Sequence, residues 1–212
     1  MTIGKRLFAW MYHHLLSDKG SPNMSDPLTR DVRAPLLARS AGSVLEIGAG
    51  DGANLPLYPP GIRLTFLEPN PHLHPHLDRV CAGQRVICDA IIEASAEDIP
   101  FPDSHFDTVV SIHVLCSVAD QSRALAEIRR VLRPGGLFLF LEHVSAPPRT
   151  PTYRMQRIVN PLWKTVGDGC HLTRDTGAAI RAAGFAIVEI DTFETATFPA
   201  IVSPHITGSA RL

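Results

Sequence analysis

The sequence predicts an α/β fold: a doubly wound, mostly parallel sheet with an antiparallel strand towards the C-terminus. Three observations lead there. Short apolar segments alternate with helical ones from Ser43 onward, one of those segments runs straight into a glycine-rich turn, and the last one alternates polar with apolar residues. Strands separated by helices form parallel sheets, because each crossover helix covers a face of the sheet. A chain of 212 residues suits one such domain with a modest extension. With 45% hydrophobic residues it can bury a sizeable core without a disulfide or metal staple.

Taken in order, Ser43–Gly48 (SVLEIG) is a short apolar run that ends in glycine, as a buried parallel strand does. Ile62–Glu68 is a second such run, and residues 85–92 a third, interrupted by Cys88 and Asp89. Asp107–Ile112 and Leu137–Val144 are the fourth and fifth. Phe185–Phe193 alternates, which fits an antiparallel strand. A helix over Ser122–Leu132 puts Leu125, Ile128 and Leu132 on one face and is stopped by Arg133-Pro134-Gly135-Gly136. A second, Thr173–Ala183, has Thr173 at its N-cap, Asp175 in its first turn and Gly184 after its end. Asp107 and the two glycines are read as structural: one orders a turn, the others end a helix.

The expected division is an N-terminal helical extension over residues 1–40 and the α/β domain over 41–212. Within residues 1–17, Ile3, Leu7, Trp10, Met11 and Leu15 share one helical face, with Lys5, Arg6 and His13 opposite. That helix is either a lid over the domain or an interfacial helix in weak contact with a membrane surface. Its few cations favour the lid. No stretch approaches the ~20 apolar residues of a membrane span, and no small-residue cleavage site follows. The expected location is cytoplasmic, with peripheral membrane contact as the alternative. Residues 18–35 read as a loop leading into a short helix before Gly42.

A net charge of −1 without a basic stripe argues against a nucleic-acid partner. A small-molecule acceptor fits better. Cys81, Cys88, Cys116 and Cys170 form no CxxC pair and show no zinc-type spacing with histidine, so they read as reduced thiols and no metal is expected.

The segment that carries chemistry is Val44-Leu45-Glu46-Ile47-Gly48-Ala49-Gly50-Asp51-Gly52. In open α/β sheets the ligand sits beyond the carboxyl ends of the strands, where this turn falls. Gly48, Gly50 and Ala53 also satisfy a dinucleotide fingerprint, with Glu68 at the ribose-binding distance. Two features favour S-adenosylmethionine (SAM) over NAD. Glu46, two residues before the first glycine, suits an ammonium and not a pyrophosphate. Pro56, Pro59 and Pro60 shorten the following helix, whose N-terminus a pyrophosphate would need.

ExGxGxG, an acid closing the second strand, the segment SAEDIPFPDSHFD and the turn VLRPGG together resemble class I SAM-dependent methyltransferases, over about residues 40–212. NLPLYPPG, HVLCSV, VLRPGG, LEHV, DGCHLTR and PHITG, in that order, resemble the mammalian microsomal alkyl-thiol methyltransferases. That family has a longer hydrophobic anchor at its N-terminus, so a microsomal location is not carried over. The resemblance implies a Rossmann-like sheet and SAM as cofactor. It implies that Glu46, Gly48, Gly50 and Gly52 form the methionine and ribose side of the pocket, and that Glu68 accepts from the ribose hydroxyls. Pro69 and Asn70 would flank the adenine. Ala96, through its N–H, and Glu97 would face the adenine edge, and Ser111, Ile112 and His113 would lie beside the sulfonium.

On the acceptor side the candidates are His113, Cys116, Glu142, His143, Asp168, Cys170, His171 and His205, of which His113, His205 and Asp168 are preferred as catalytic. A metal site from Glu142, His143 and Asp168 lacks a recognisable spacing. The leading reading is methyl transfer to a small lipophilic thiol or sulfide. The alternatives are C-, O- or N-methylation of a quinone, phenol or lipid amine, or a SAM-binding regulatory module without turnover.

Overall fold

The computed structural model describes residues 24, 26–82 and 86–212. The helix expected in residues 1–17 lies outside them, and so does Arg85. A π-helical stretch, Leu28–Arg33, runs into the short helix α1 (Ala34–Leu37). Then come β1 (Ser43–Ile47), β2 (Arg63–Leu67), α2 (His74–Cys81), β3 (Ile87–Ile92), β4 (Phe106–Ile112), α3 (Gln121–Val131), β5 (Leu132–His143), α4 (Pro151–Val166), α5 (Thr176–Ala182), β6 (Ala186–Glu194) and β7 (Pro204–Arg211). They form one seven-stranded sheet in the order β3-β2-β1-β4-β5-β7-β6, parallel except where β7 pairs with β5 and β6.

Because successive strand residues face opposite sides, the apolar runs sort into two cores. Leu45, Val109, Phe138 and Phe140 pack on one face with Leu125 and Ile128 of α3 and Ile180 of α5. Val44, Leu64, Phe66, Val110, Leu139 and Leu141 pack on the other with Leu36, Leu37 and Leu77. This double coverage is why the central strands read as continuous apolar runs.

Several expectations change in detail. The crossover between β1 and β2 is reduced to the 3₁₀ turn Leu55–Leu57, as the prolines imply. β5 starts at Leu132, immediately after α3, with Arg133–Gly136 in the strand at an irregular register against β4. The N-cap of α5 is Asp175, whose carboxylate accepts from Ala178 N at 2.9 Å, and not Thr173. Asp107 does order a turn: its carboxylate accepts from Ser43 N at 2.8 Å and from the Arg133 guanidinium at 2.6 Å. Cys81 and Cys88 are joined as a disulfide instead of standing as free thiols. The return from α2 to β3 brings their Cα atoms to 6.0 Å, an ordinary bridging separation. The strand that the sequence hid is β7. It is buried on both faces between β5 and β6, so it shows no alternation, and its Pro204 and Gly208 mask it further.

Candidate active site

The carboxyl ends of β1, β2, β4 and β5 carry most of the residues singled out above. Gly48, Gly50 and Gly52 all take positive φ, at 60°, 61° and 84°. At Gly48 there is also no room: a Cβ there would stand 2.5 Å from Val114 Cγ2, so the turn packs directly against the segment that follows β4. Glu68, at the end of β2, accepts from Gly50 N and from Asn70 N, each at 2.8 Å. It therefore ties the glycine turn to the loop holding Pro69 and Asn70 and keeps lone pairs for further donors. Burial raises its pKa against those two N–H groups, and the negative charge of nearby Asp168 adds to the rise.

Glu46 is buried on β1. Its carboxylate accepts from Asn54 Nδ2 at 2.6 Å and Tyr58 Oη at 2.9 Å. Arg33 in turn donates to Asn54 Oδ1 at 2.6 Å. Burial pushes the Glu46 pKa up to about 7, while Asn54, Tyr58 and the Arg33 charge pull the other way. The acid is consequently poised between forms at neutral pH, and an added cation would favour its ionised form. Asn54, Tyr58 and Arg33 were missed as partners. Asn54 and Tyr58 lie within NLPLYPPG, yet nothing in that spacing says that they fold back onto Glu46.

Ser111, at the end of β4, donates to Glu142 Oε1 at 2.6 Å. The same carboxylate accepts from the backbone N–H groups of Val114, Leu115 and Cys116 at 3.1–3.3 Å. Glu142, fully buried, is the post that holds the turn after β4. Ile112 and His113 enter that turn. His113 has φ 58°, unusual for a non-glycine residue, and its N–H donates to Leu141 O at 2.8 Å. Ala96 is buried in the core beside this edge. The Glu97 carboxylate accepts from Ala119 N at 2.7 Å, from Asp120 N at 3.2 Å and from the Ser95 hydroxyl, so it has a structural job at the start of α3.

β7 brings His205 to His113: their Nε2 atoms are 3.1 Å apart. Phe198 stacks on His205 and meets His113 edge-on, and Phe193 also stacks on His205, with ring centroids 5.6–5.8 Å apart in each case. Two histidines from strand ends 92 residues apart thus share an aromatic wall. Burial lowers both pKa values, strongly for His113, where the neighbouring His205 contributes too. Both shifts favour the neutral imidazole.

Beside them the fold gathers Cys116, His143 and Cys170, which the spacing along the chain did not suggest. Glu142 is engaged as described and is not part of that group. Cys116 and Cys170 lie in contact; sharing a proton with Cys116, and with His143 alongside, Cys170 has its pKa lowered while that of Cys116 is raised.

A family model described as a methyltransferase domain matches residues 45–140, from β1 to β5. The chain is 42% identical over 171 residues to the thiol S-methyltransferase TMT1B of Rattus norvegicus, covering 79% of this chain and 70% of that protein. It is 40% identical to the thiol S-methyltransferase TMT1A of Homo sapiens, with the same coverage. Among solved structures it is similar in fold to the N-methyltransferase NodS of Bradyrhizobium japonicum in complex with S-adenosyl-L-homocysteine. That match has a TM-score of 0.64 and 16% sequence identity, over 88% of each chain.

Proposed function

The chain belongs to the thiol S-methyltransferase family of SAM-dependent methyltransferases, and from that premise we propose that it methylates a small lipophilic thiol. The observation that carries the acceptor side is the His113–His205 pair, walled by Phe193 and Phe198, at the carboxyl edge of the sheet. An apolar wall suits a lipophilic acceptor, and a neutral imidazole can take the proton of a thiol whose free pKa is about 8.5.

The residues present fit SAM. A side chain at Gly48 would collide with Val114, so glycine alone lets this turn, with the N–H groups of Gly48–Gly52, take the tight shape that brings backbone up to a ligand. Buried Glu46 gains a reason for its carboxylate if an ammonium meets it, and Glu68 has acceptor capacity left for ribose hydroxyls. When bound, SAM supplies an electrophilic methyl group on a sulfonium, so no strong acid is required. The chain's own work is alignment and water exclusion. Alignment of reactants can be worth about 7–11 kcal/mol in well-oriented systems. In this reading Pro69, Asn70, Ala96 and Glu97 border the adenine, and Ser111 and Ile112 border the reacting methyl group. His113, oriented by His205, receives the thiol proton, and Asp168 supplies negative charge near Glu68.

An acceptor screen with labelled SAM tests this. A small alkyl thiol should yield S-adenosylhomocysteine and the methyl thioether faster than the matching alcohol, phenol, quinol or amine. Turnover confined to a quinol, phenol or amine would overturn the thiol reading, and SAM binding without turnover on any acceptor would favour a binding module.

A further inference from the structure

Cys116, His143 and Cys170 have no part in the reading just given. One ligating atom from each lies within 4.8 Å of the others. They come from three separate places: the turn after β4, the end of β5 and the loop after α4. Specific backbone features hold them together. His171 N donates to Cys116 O at 2.8 Å, fastening one cysteine segment to the other. Asp168 and Gly169 both take positive φ, at 48° and 81°, to turn the chain into Cys170. A Cβ at Gly169 would stand 2.8 Å from Ser117 O, so this turn presses on the Cys116 turn with room for glycine alone. From the opposite side, Glu142 accepts from Cys116 N at 3.3 Å.

The side chains have little else to do. Cys170 Sγ is 3.8 Å from His143 Nδ1, and Cys116 Sγ is 3.6 Å from Ser117 Oγ. His143 is 4% exposed, and its Nε2 is buried without a hydrogen-bond partner. A histidine used only for packing is better replaced by an apolar residue, because an unpaired buried nitrogen is costly. Two thiols and an imidazole form a soft donor set that selects zinc-class ions over magnesium or calcium, which take oxygen ligands. Zinc binds sulfur at about 2.3 Å and imidazole nitrogen at about 2.0 Å, which in a tetrahedron separates ligand atoms by about 3.5–3.8 Å. The Cys170–His143 separation, through Nδ1, already has that size, and the Cys116 ligand atom lies within 4.8 Å of both.

We propose that Cys116, His143 and Cys170 form a three-ligand site for a zinc-class divalent cation, whose fourth position takes the sulfur of the acceptor thiol. The first half stands on the cluster alone; the second rests on the thiol-acceptor reading above. Three protein ligands with one open position is the pattern of reactive zinc sites and not of closed structural ones. The cluster adjoins the acceptor-side histidines, since the His143 and His205 rings are 6.1 Å apart. A thiol that coordinates loses its proton, which passes to the unprotonated nitrogen of His113. The sulfur then forms its bond to the methyl carbon as the sulfonium carbon–sulfur bond breaks. The products are a neutral thioether, a weaker ligand that leaves, and S-adenosylhomocysteine.

The test uses the full chain, purified reduced, freed of metal with a chelator and titrated with zinc and with cobalt(II). One metal should bind per chain by elemental analysis. The cobalt form should show sulfur-to-cobalt charge transfer and intense tetrahedral d–d bands. Cys116→Ser and Cys170→Ser should each lose much of the charge-transfer band, and His143→Ala should lose stoichiometric binding, with thermal melts confirming that each variant folds. Ethanethiol should strengthen the charge-transfer band of wild type. Failure of the reduced protein to take up metal, or metal loading unchanged in all three variants, overturns the site. Full thiol methylation by verified metal-free protein overturns its link to the acceptor while leaving the thiol reading intact. Metal uptake in a protein that methylates no thiol upholds the site and overturns the thiol reading.

Discussion

The Nε2 atoms of His113 and His205 stand 3.1 Å apart, and His205 Nδ1 lies 2.8 Å from the carbonyl oxygen of Ser203. A carbonyl only accepts, so His205 Nδ1 carries its proton and, in the neutral ring, Nε2 is the lone pair. His113 Nε2 must then be the donor, which leaves His113 Nδ1 unprotonated. His205 thus selects the tautomer of His113, the arrangement by which a second group orients a general base.

His113→Ala should therefore lower the rate of thiol methylation most near neutral pH. A positioned general base is worth about a hundredfold or more. Near pH 9 the loss should shrink, because a free thiol with a pKa of about 8.5 ionises unaided. His205→Ala should show the same pH profile with a smaller loss, and adding it to His113→Ala should cost little more. Steady-state rates of the two single variants and the double variant at pH 7 and 9 decide this. Losses equal at both pH values would assign the pair to positioning of the acceptor instead of proton transfer.

Glu46 leads to a pH dependence of cofactor binding. Its pKa in the free protein is raised to about 7, chiefly by burial. An ammonium beside it would favour the carboxylate, so SAM should bind more tightly as Glu46 loses its proton. From pH 5.5 to 7, below the titration of an α-amino group near 7.7–8.0, the dissociation constant should fall about tenfold. In Glu46→Gln it should be weaker and flat over that range. Titration calorimetry at three pH values checks both, and a flat wild-type profile would detach Glu46 from the ammonium.

Glu68→Ala removes a carboxylate that accepts from Gly50 N and Asn70 N and, in the proposed pocket, from the ribose. Hydrogen bonds to a charged group are worth about 1.5–3 kcal/mol, so SAM affinity should fall roughly ten- to a hundredfold. Glu68→Gln keeps an acceptor oxygen and should fall between. A folded Glu68→Ala variant with unchanged SAM affinity would remove the ribose role.

The parallel half of the fold was legible because β1, β2, β4 and β5 are compact apolar runs, with β3 the weakest because Cys88 and Asp89 interrupt it, and the glycine turn because Glu46, Gly48, Gly50 and Gly52 are close in sequence. The acceptor side was legible only as a list of residue types. His113, His205, His143, Cys116 and Cys170 meet through the pairing of β5 with β7 and through the loop after α4. Such long-range pairing leaves no periodic trace, and β7 in particular lacks alternation. Glu142 shows the same limit. As one acid in LEHV it looked like a ligand candidate, whereas its role, accepting from Ser111 and three backbone N–H groups, exists only once the turn after β4 has folded over it.

Gly48 joins the two halves of the pocket, and its replacement should report on both. Its φ of 60° is unfavourable for an L side chain by roughly 1–2 kcal/mol. In addition, a Cβ would stand 2.5 Å from Val114 Cγ2, a clash that something must relieve by moving. Gly48→Ala should thus lower stability by more than the backbone cost alone and displace the turn that Glu142 holds. Val114→Ala removes the clashing methyls but leaves the φ strain. The double variant Gly48→Ala/Val114→Ala should therefore recover part of the stability lost by Gly48→Ala, a favourable coupling between residues in contact. SAM affinity should stay below wild type in the double variant, because the φ strain at position 48 still displaces the turn. Denaturant melts of the three variants measure the coupling, and SAM titration measures the remainder. Strict additivity in the melts would mean that the Gly48–Val114 contact does not limit this turn.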